Sequence, residues 1–143
     1  MTDRYEALKL SNQLCFPLYA VSKEIVKKYT PFLDKIGLTY TQYIAMMVLW
    51  EEKEITVKEL GKQLFLDSGT ITPVLKALEK KGLVKRTRSD VDERVVNASL
   101  TEAGLALREQ AVEIPAQIGS CMPLTPEDAA ALYRILHTMM DKL

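Results

Sequence analysis

Cysteine, histidine and tryptophan are scarce in this 143-residue chain, which holds two, one and one of them. Cys15 and Cys121 lie far apart, with no Cys-x-x-Cys pair and no histidine at ligand spacing, which argues against zinc and thioredoxin-type chemistry. No metal or cofactor is expected. No apolar run approaches the roughly 20 residues of a membrane span, and the opening Met1-Thr2-Asp3-Arg4-Tyr5-Glu6 lacks the apolar core of a signal peptide. A cytoplasmic protein with no membrane partner is therefore expected. An excess of one charge is missing too, since 19 lysines and arginines balance 19 aspartates and glutamates, so any polyanion partner must be argued from local charge. Repeats, low-complexity tracts and long linkers are absent, which leaves one domain over 1–143.

The stretch from Thr56 to Leu100 carries most of the information. Thr56-Val57-Lys58-Glu59 fits a capping box, and Val57, Leu60 and Leu64 then mark one helical face. After a turn at Phe65 to Asp67, Ser68-Gly69-Thr70-Ile71-Thr72-Pro73 opens a second helix with apolar Ile71, Val74, Leu75 and Leu78, and Gly82 is placed to end it. Pro73 is expected in the first turn, where its missing amide has no intrahelical partner. A helix entering a major groove needs small or hydrogen-bonding residues at its leading end, and Ser68, Gly69, Thr70 and Thr72 meet that need. Taken alone, the same residues also serve as plain caps.

The following hairpin shifts the balance. Leu83 to Thr87 alternates apolar and basic residues, Ser89 to Glu93 is a polar turn, and Val95 to Leu100 returns. Arg86, Arg88 and Arg94 thus gather on one hairpin, where positive charge can meet phosphates or a minor groove. Asp92, two residues before Arg94, is close enough to hold its guanidinium in a fixed direction. Between Lys76 and Arg94, the basic Lys76, Lys80, Lys81, Lys85, Arg86, Arg88 and Arg94 outnumber Glu79, Asp90, Asp92 and Glu93, whereas acidic residues prevail from Thr101 onward. The order of elements is that of a winged helix-turn-helix, and the segregated charge suits one face turned to double-stranded DNA.

Outside this lobe helical patterns dominate. Leu10, Leu14, Leu18, Val21 and Ile25 trace an N-terminal helix that should bend at Pro17 and stop at Thr30-Pro31. A second begins near Thr39 to Gln42, Thr101 caps a helix running towards Pro115, and Thr125-Pro126 opens the last. The final stripe of Leu132, Ile135, Leu136, Met139, Met140 and Leu143 needs cover, as does the first helix, which points to a homodimer through both termini, about 1–35 and 101–143. A two-fold dimer sets two recognition helices roughly 34 Å apart and predicts a pseudo-palindromic operator. His137 falls on the polar side of the last helix and is assigned nothing.

The runs Leu66-Asp67-Ser68-Gly69-Thr70-Ile71-Thr72-Pro73, Leu78-Glu79-Lys80-Lys81-Gly82-Leu83-Val84, Asp92-Glu93-Arg94 and Leu100-Thr101 resemble the multiple antibiotic resistance regulator (MarR) family. Combined with an N-terminal Leu14-Cys15-Phe16, they are most similar to its organic hydroperoxide-sensing OhrR branch. The resemblance spans nearly the whole chain. It implies a dimeric winged helix that is mainly α with a small β-hairpin, with Ser68 to Lys76 in a major groove and Arg94 in a minor groove. It also implies a reactive Cys15 surrounded by Tyr19, Tyr29 and Tyr40, the last two reaching the sulfur from the other subunit. Cys121 sits where the branch's two-cysteine version carries a resolving thiol that joins Cys15 across the dimer.

The chemistry implied is consistent. Peroxide is attacked by thiolate, and phenolic hydroxyls donating to sulfur favour the charged form. Tyr19 is one helical turn from Cys15, and apolar walls from Leu14 and Phe16 fit an organic oxidant. By residue type alone, Cys15 also reads as inert packing and Cys121 as a loop cysteine without a role, or one leaving resolution to an external thiol. The expected function is a repressor, not an enzyme, that leaves its operator when Cys15 is oxidised by organic hydroperoxide. The alternatives are a relative answering a small aromatic or anionic ligand with passive cysteines, and a thiol peroxidase. RNA recognition lacks the stacking aromatics it usually needs.

Overall fold

The computed structural model describes residues 3–143, so Met1 and Thr2 of the expected domain and of its 1–35 dimerisation segment lie outside the described residues. Two 3-10 turns, Arg4–Leu8 and Leu10–Asn12, precede α1 (Cys15–Asp34) and α2 (Tyr40–Glu52). Then come β1 (Glu54–Thr56), α3 (Val57–Gln63), α4 (Ser68–Lys80), β2 (Val84–Arg88) and β3 (Val96–Leu100), followed by α5 (Glu102–Ala111), α6 (Ile114–Cys121) and α7 (Pro126–Met140). The strands form an antiparallel sheet in the order β1-β3-β2, with Arg86 opposite Ala98 and Ile55 also opposite Ala98 on the other side. This is a winged helix-turn-helix in a mainly helical chain.

Threonine and aspartate oxygens start the α-helices other than α1 and α6. Thr39 and Gln42 make both halves of a capping box at α2. Thr56, Asp67, Thr101 and Thr125 each accept a backbone N–H three residues on, at α3, α4, α5 and α7. At Thr56 and Thr125 this is the threonine half of the expected boxes. Both helices of the helix-turn-helix end alike. At α4 the N–H of Leu83 bonds the Leu78 carbonyl and that of Gly82 bonds Glu79, with Gly82 at φ 78°. At α3 Leu66 bonds Gly61 and Phe65 bonds Lys62, with Phe65 itself at φ 56°. A phenylalanine bears the left-handed conformation that glycine usually takes, so this turn has no sequence signature.

Both limits of α1 and the place of Pro73 within α4 differ from expectation, each through proline. α1 starts at Cys15, which leaves Leu10 and Leu14 before it and puts Pro17 in the first turn, where no carbonyl is freed and no bend is required. Pro31 lies inside α1, which continues to Asp34 because one lost hydrogen bond is offset by Leu33 packing into the core. Pro73 is the sixth residue of α4, not in its first turn, so the Gly69 carbonyl loses its usual donor. The sheet also has a third strand beyond the hairpin. β1 is too short for an alternation signal and forms because Lys53, at φ 67°, turns the chain out of α2 alongside β3.

Met46 and Leu49 of α2, Leu60 of α3, and Ile71, Leu75 and Leu78 of α4 are fully buried and fix the lobe. Two close approaches tighten it, because a Cβ on Gly61 would sit 2.7 Å from the Leu66 carbonyl oxygen and one on Gly104 would run into that of Leu83. The terminal helices differ. α7 contributes no buried residue and α1 only Leu33, while Leu14, Phe16, Leu18, Val21, Tyr133, Ile135 and Met139 stay exposed. Among the described residues no helix is long and apolar enough to cross a membrane.

Candidate nucleic-acid interface and thiol site

The leading end of α4 is open to solvent. Asp67 accepts the Thr70 N–H at 2.9 Å, which sets the first turn so that Ser68, Gly69, Thr70 and Pro73 are exposed, with Thr72 half-buried beside them and Lys76 exposed one turn on. The Gly69 carbonyl freed by Pro73 adds an acceptor at the same end. Between this helix, α3 and the hairpin runs a groove of about 930 Å³ whose basic lining is Lys58, Lys76, Arg86, Arg88 and Arg94.

The three wing arginines are held differently. Arg94 donates its backbone N–H and Nε to Asp92 Oδ1, at 3.0 and 3.1 Å, and Nη2 to Oδ2 at 3.1 Å, while its side chain stays 90% exposed. That is a directed, solvent-facing guanidinium, as the Asp92 spacing predicts. Those bonds, the side-chain one first, hold the Asp92 carboxyl below its ordinary range. Arg88 Nη1 donates to the Glu93 carbonyl at 2.8 Å and braces the hairpin turn. Arg86 is turned inward at 25% side-chain exposure, where its Nη2 reaches Glu79 of α4 at 3.2 Å and its Nε is buried without a partner. As placed, it joins wing to helix more than it reaches outward.

Cys15 is the first residue of α1 and is exposed, as is Cys121, and both thiols are free. Cys15 lies at the N-terminal end of the 20-residue helix, where the dipole is positive. Tyr19 follows one turn along, exposed, with the Lys23 ammonium 5.3 Å from its ring centre. That basic residue escaped the sequence reading. Leu14 and Phe16 are exposed, so in one chain they flank the thiol without walling it, beside an open depression of about 600 Å³ lined by Leu10, Phe16 and Pro17.

Tyr29 stands fourteen residues beyond Cys15 on the same helix, a rise of about 21 Å, and so cannot touch it within the chain. Its ring lies 4.9 Å from Tyr40 and 5.8 Å from Tyr43, and Tyr43 in turn lies 6.5 Å from Trp50. Burial raises all three phenol pKa values above the ordinary 10.0, and the neighbouring phenols raise those of Tyr29 and Tyr43 further. The structure thus brings Tyr29 and Tyr40 together and leaves them away from Cys15 and Tyr19. Tyr43, three residues from Tyr40 on α2, completes the cluster and could have been found from that helical spacing. Cys121 closes α6, a helix that begins where the sequence pattern is interrupted at Pro115 and that the sequence leaves unassigned.

A model of the SarA/Rot transcriptional regulators matches residues 27–110, from the middle of α1 through most of α5. The chain is 49% identical, over 100% of its own length and 97% of the relative's, to the organic hydroperoxide resistance transcriptional regulator of Bacillus subtilis. It belongs to the OhrR branch of the MarR family of transcriptional regulators. A second member of this family, the regulator SarZ of Staphylococcus aureus, is 44% identical over 93% of this chain and 90% of that one. AbfR of Staphylococcus epidermidis, in a reduced complex with DNA, superposes with a TM-score of 0.78 at 37% identity, covering 96% of each chain. The disulfide form of AbfR fits less closely, at 0.65.

Proposed function

We propose that the protein is a cytoplasmic, homodimeric repressor that holds a pseudo-palindromic operator while Cys15 is reduced and leaves it when an organic hydroperoxide oxidises that sulfur. The observation that carries the reading is a cysteine at the first position of α1, in a chain 49% identical over its whole length to an organic hydroperoxide resistance regulator. Ser68, Gly69, Thr70, Thr72, Pro73 and Lys76 serve the major groove. Arg94, aimed by Asp92, serves a minor groove, and Arg88 the backbone beside it, with Arg86 setting the wing against the helix.

The uncovered apolar faces of α1 and α7 support the dimer, and the resemblance to the OhrR branch has each Cys15 served by Tyr29 and Tyr40 of the partner subunit. The Cys15 thiolate attacks the terminal peroxide oxygen, the O–O bond breaks, the sulfur takes the hydroxyl to become a sulfenic acid, and the departing alkoxide takes up the proton that the thiol released and leaves as an alcohol. The Cys121 thiol then displaces that hydroxyl as water and forms a disulfide across the dimer. Closure needs Cα atoms within about 7 Å, and drawing the helices together disturbs the operator spacing.

A gel shift at fixed salt tests this with reduced protein, then after an organic hydroperoxide, then after a reductant. Reversible loss of the shift is expected, with the shift kept in Cys15→Ser, and an unchanged shift in wild type rejects the reading. On a non-reducing gel, the peroxide-induced dimer band should vanish in Cys121→Ser.

A further inference from the structure

Lys81 follows the last residue of α4, and its ammonium is turned away from the basic groove. It donates to the Gly37 carbonyl, in the turn between α1 and α2, and to Gln42 Oε1 at 2.8 Å. Gln42 is 8% exposed and is the one buried polar side chain recorded among the described residues. The same Oε1 accepts the Thr39 N–H at 3.1 Å, while the Gln42 N–H bonds Thr39 Oγ1 at 3.3 Å. One amide oxygen therefore serves the capping box that starts α2 and the cation that finishes α4. On either side of Gln42 in α2 stand Tyr40 and Tyr43, whose rings pack with Tyr29.

Met46 and Leu49 of α2 and Leu75 and Leu78 of α4 belong to one apolar core, whose non-directional packing tolerates small sliding. The Lys81 bonds are directional and fix both the position and the rotation of the helix end. α4 is about 20 Å long by its helical rise, so a small displacement at Lys81 swings Ser68 and Thr70 at the far end.

We infer that Lys81 is a positioning residue coupling the Tyr29–Tyr40–Tyr43 cluster to the recognition helix. Repacking of the cluster shifts the first turn of α2, and Lys81 passes the shift to α4. The inference rests on the redox reading above and names the contact through which it acts. Lys81 is exposed, and without it Gln42 Oε1 keeps the Thr39 N–H while the Gly37 carbonyl turns to water, so Lys81→Met should fold.

The test measures affinity for a labelled duplex selected on reduced wild-type dimer, before and after an organic hydroperoxide, with Cys15 oxidation followed by intact mass. Wild type should weaken by the roughly 5- to 150-fold typical of coupled sites. Lys81→Met should show an oxidised-to-reduced ratio at least about 5-fold smaller at equal Cys15 oxidation. Lys81→Arg, whose fork can serve both oxygens, should restore the wild-type ratio. A merely structural lysine would lower the melting temperature and leave that ratio unchanged, so equal weakening in Lys81→Met and wild type overturns the inference alone. Wild type that keeps its DNA with Cys15 fully oxidised overturns the redox reading and this inference with it.

Discussion

Glu79 holds Arg86 at two points, accepting its backbone N–H at 3.1 Å and its guanidinium Nη2 at 3.2 Å. Since β2 is an edge strand, that backbone N–H faces outward and has no ladder partner, so a carboxylate from the recognition helix closes the sheet edge. The same contact sets the angle between helix and wing. The backbone bond first, and the guanidinium after it, hold the Glu79 carboxyl below its ordinary range. A lowered carboxyl contributes above the ordinary carboxylate range and is lost as pH falls through its depressed value. At neutral pH, Glu79→Ala should speed exchange of the Arg86 amide and weaken operator binding, and an unchanged amide exchange rate would show that the carboxylate does not hold the edge.

Arg94 is 90% exposed and aimed by Asp92, so it should act on DNA more than on stability. Arg94→Ala should leave the melting temperature within error and reduce the slope of log affinity against log salt by about 1, as expected when one cation is removed from a minor groove flanked by phosphates. Asp92→Ala keeps the charge but frees its direction, and should cost discrimination between operator and random duplex more than it costs random binding. Equal losses on both duplexes would contradict that division.

The phenols of Tyr29, Tyr40 and Tyr43 are raised above 10.0 by burial. An acid raised in the folded state contributes fully below its unfolded pKa and is lost as pH climbs through the folded value. Stability should therefore be flat below about pH 10 from this source and fall above it, with these tyrosines ionising above the free-phenol value in an absorbance titration. Ionisation of these three at the free-phenol value would show the cluster to be open to water.

Gly61 lies where α3 meets the turn, with its would-be Cβ 2.7 Å from the Leu66 carbonyl oxygen and 3.4 Å from Ile71 Cγ2. Gly61→Ala should cost about 1 to 3 kcal/mol by overpacking, read as a shift in the urea midpoint. A midpoint equal to wild type would mean that the turn gives way freely.

The winged lobe was legible because its signals are local. Thr56, Thr101 and Thr125 announce helix starts, Gly82 an end, and the Asp92–Arg94 spacing a pair, each within a few residues. Phe65 in a left-handed turn and the short β1 carry no such mark, and both are imposed by tertiary packing. Pro17, Pro31 and Pro73 misled because a proline's effect depends on its place within the helix and on the packing around it, which the residue type does not show. The contacts of Glu79 with Arg86 and of Lys81 with Gly37 and Gln42 join distant segments and were invisible. Membership of the family pointed to Cys15, Tyr19, Tyr29 and Tyr40, whereas within one chain the cysteine and the Tyr29–Tyr40 pair stand about 21 Å apart along α1.

That separation makes the central claim directly measurable: the sulfur of one subunit is served by the phenols of the other. A mixed dimer can be prepared in which one chain carries Cys15→Ser and the other carries Tyr29→Phe and Tyr40→Phe, so that the single remaining Cys15 faces intact tyrosines only across the interface. The rate of its oxidation by an organic hydroperoxide is then compared with those of wild type and of the doubly substituted homodimer. The account predicts the wild-type rate per thiol in the mixed dimer and a slower rate in the homodimer. A mixed dimer as slow as that homodimer would contradict it.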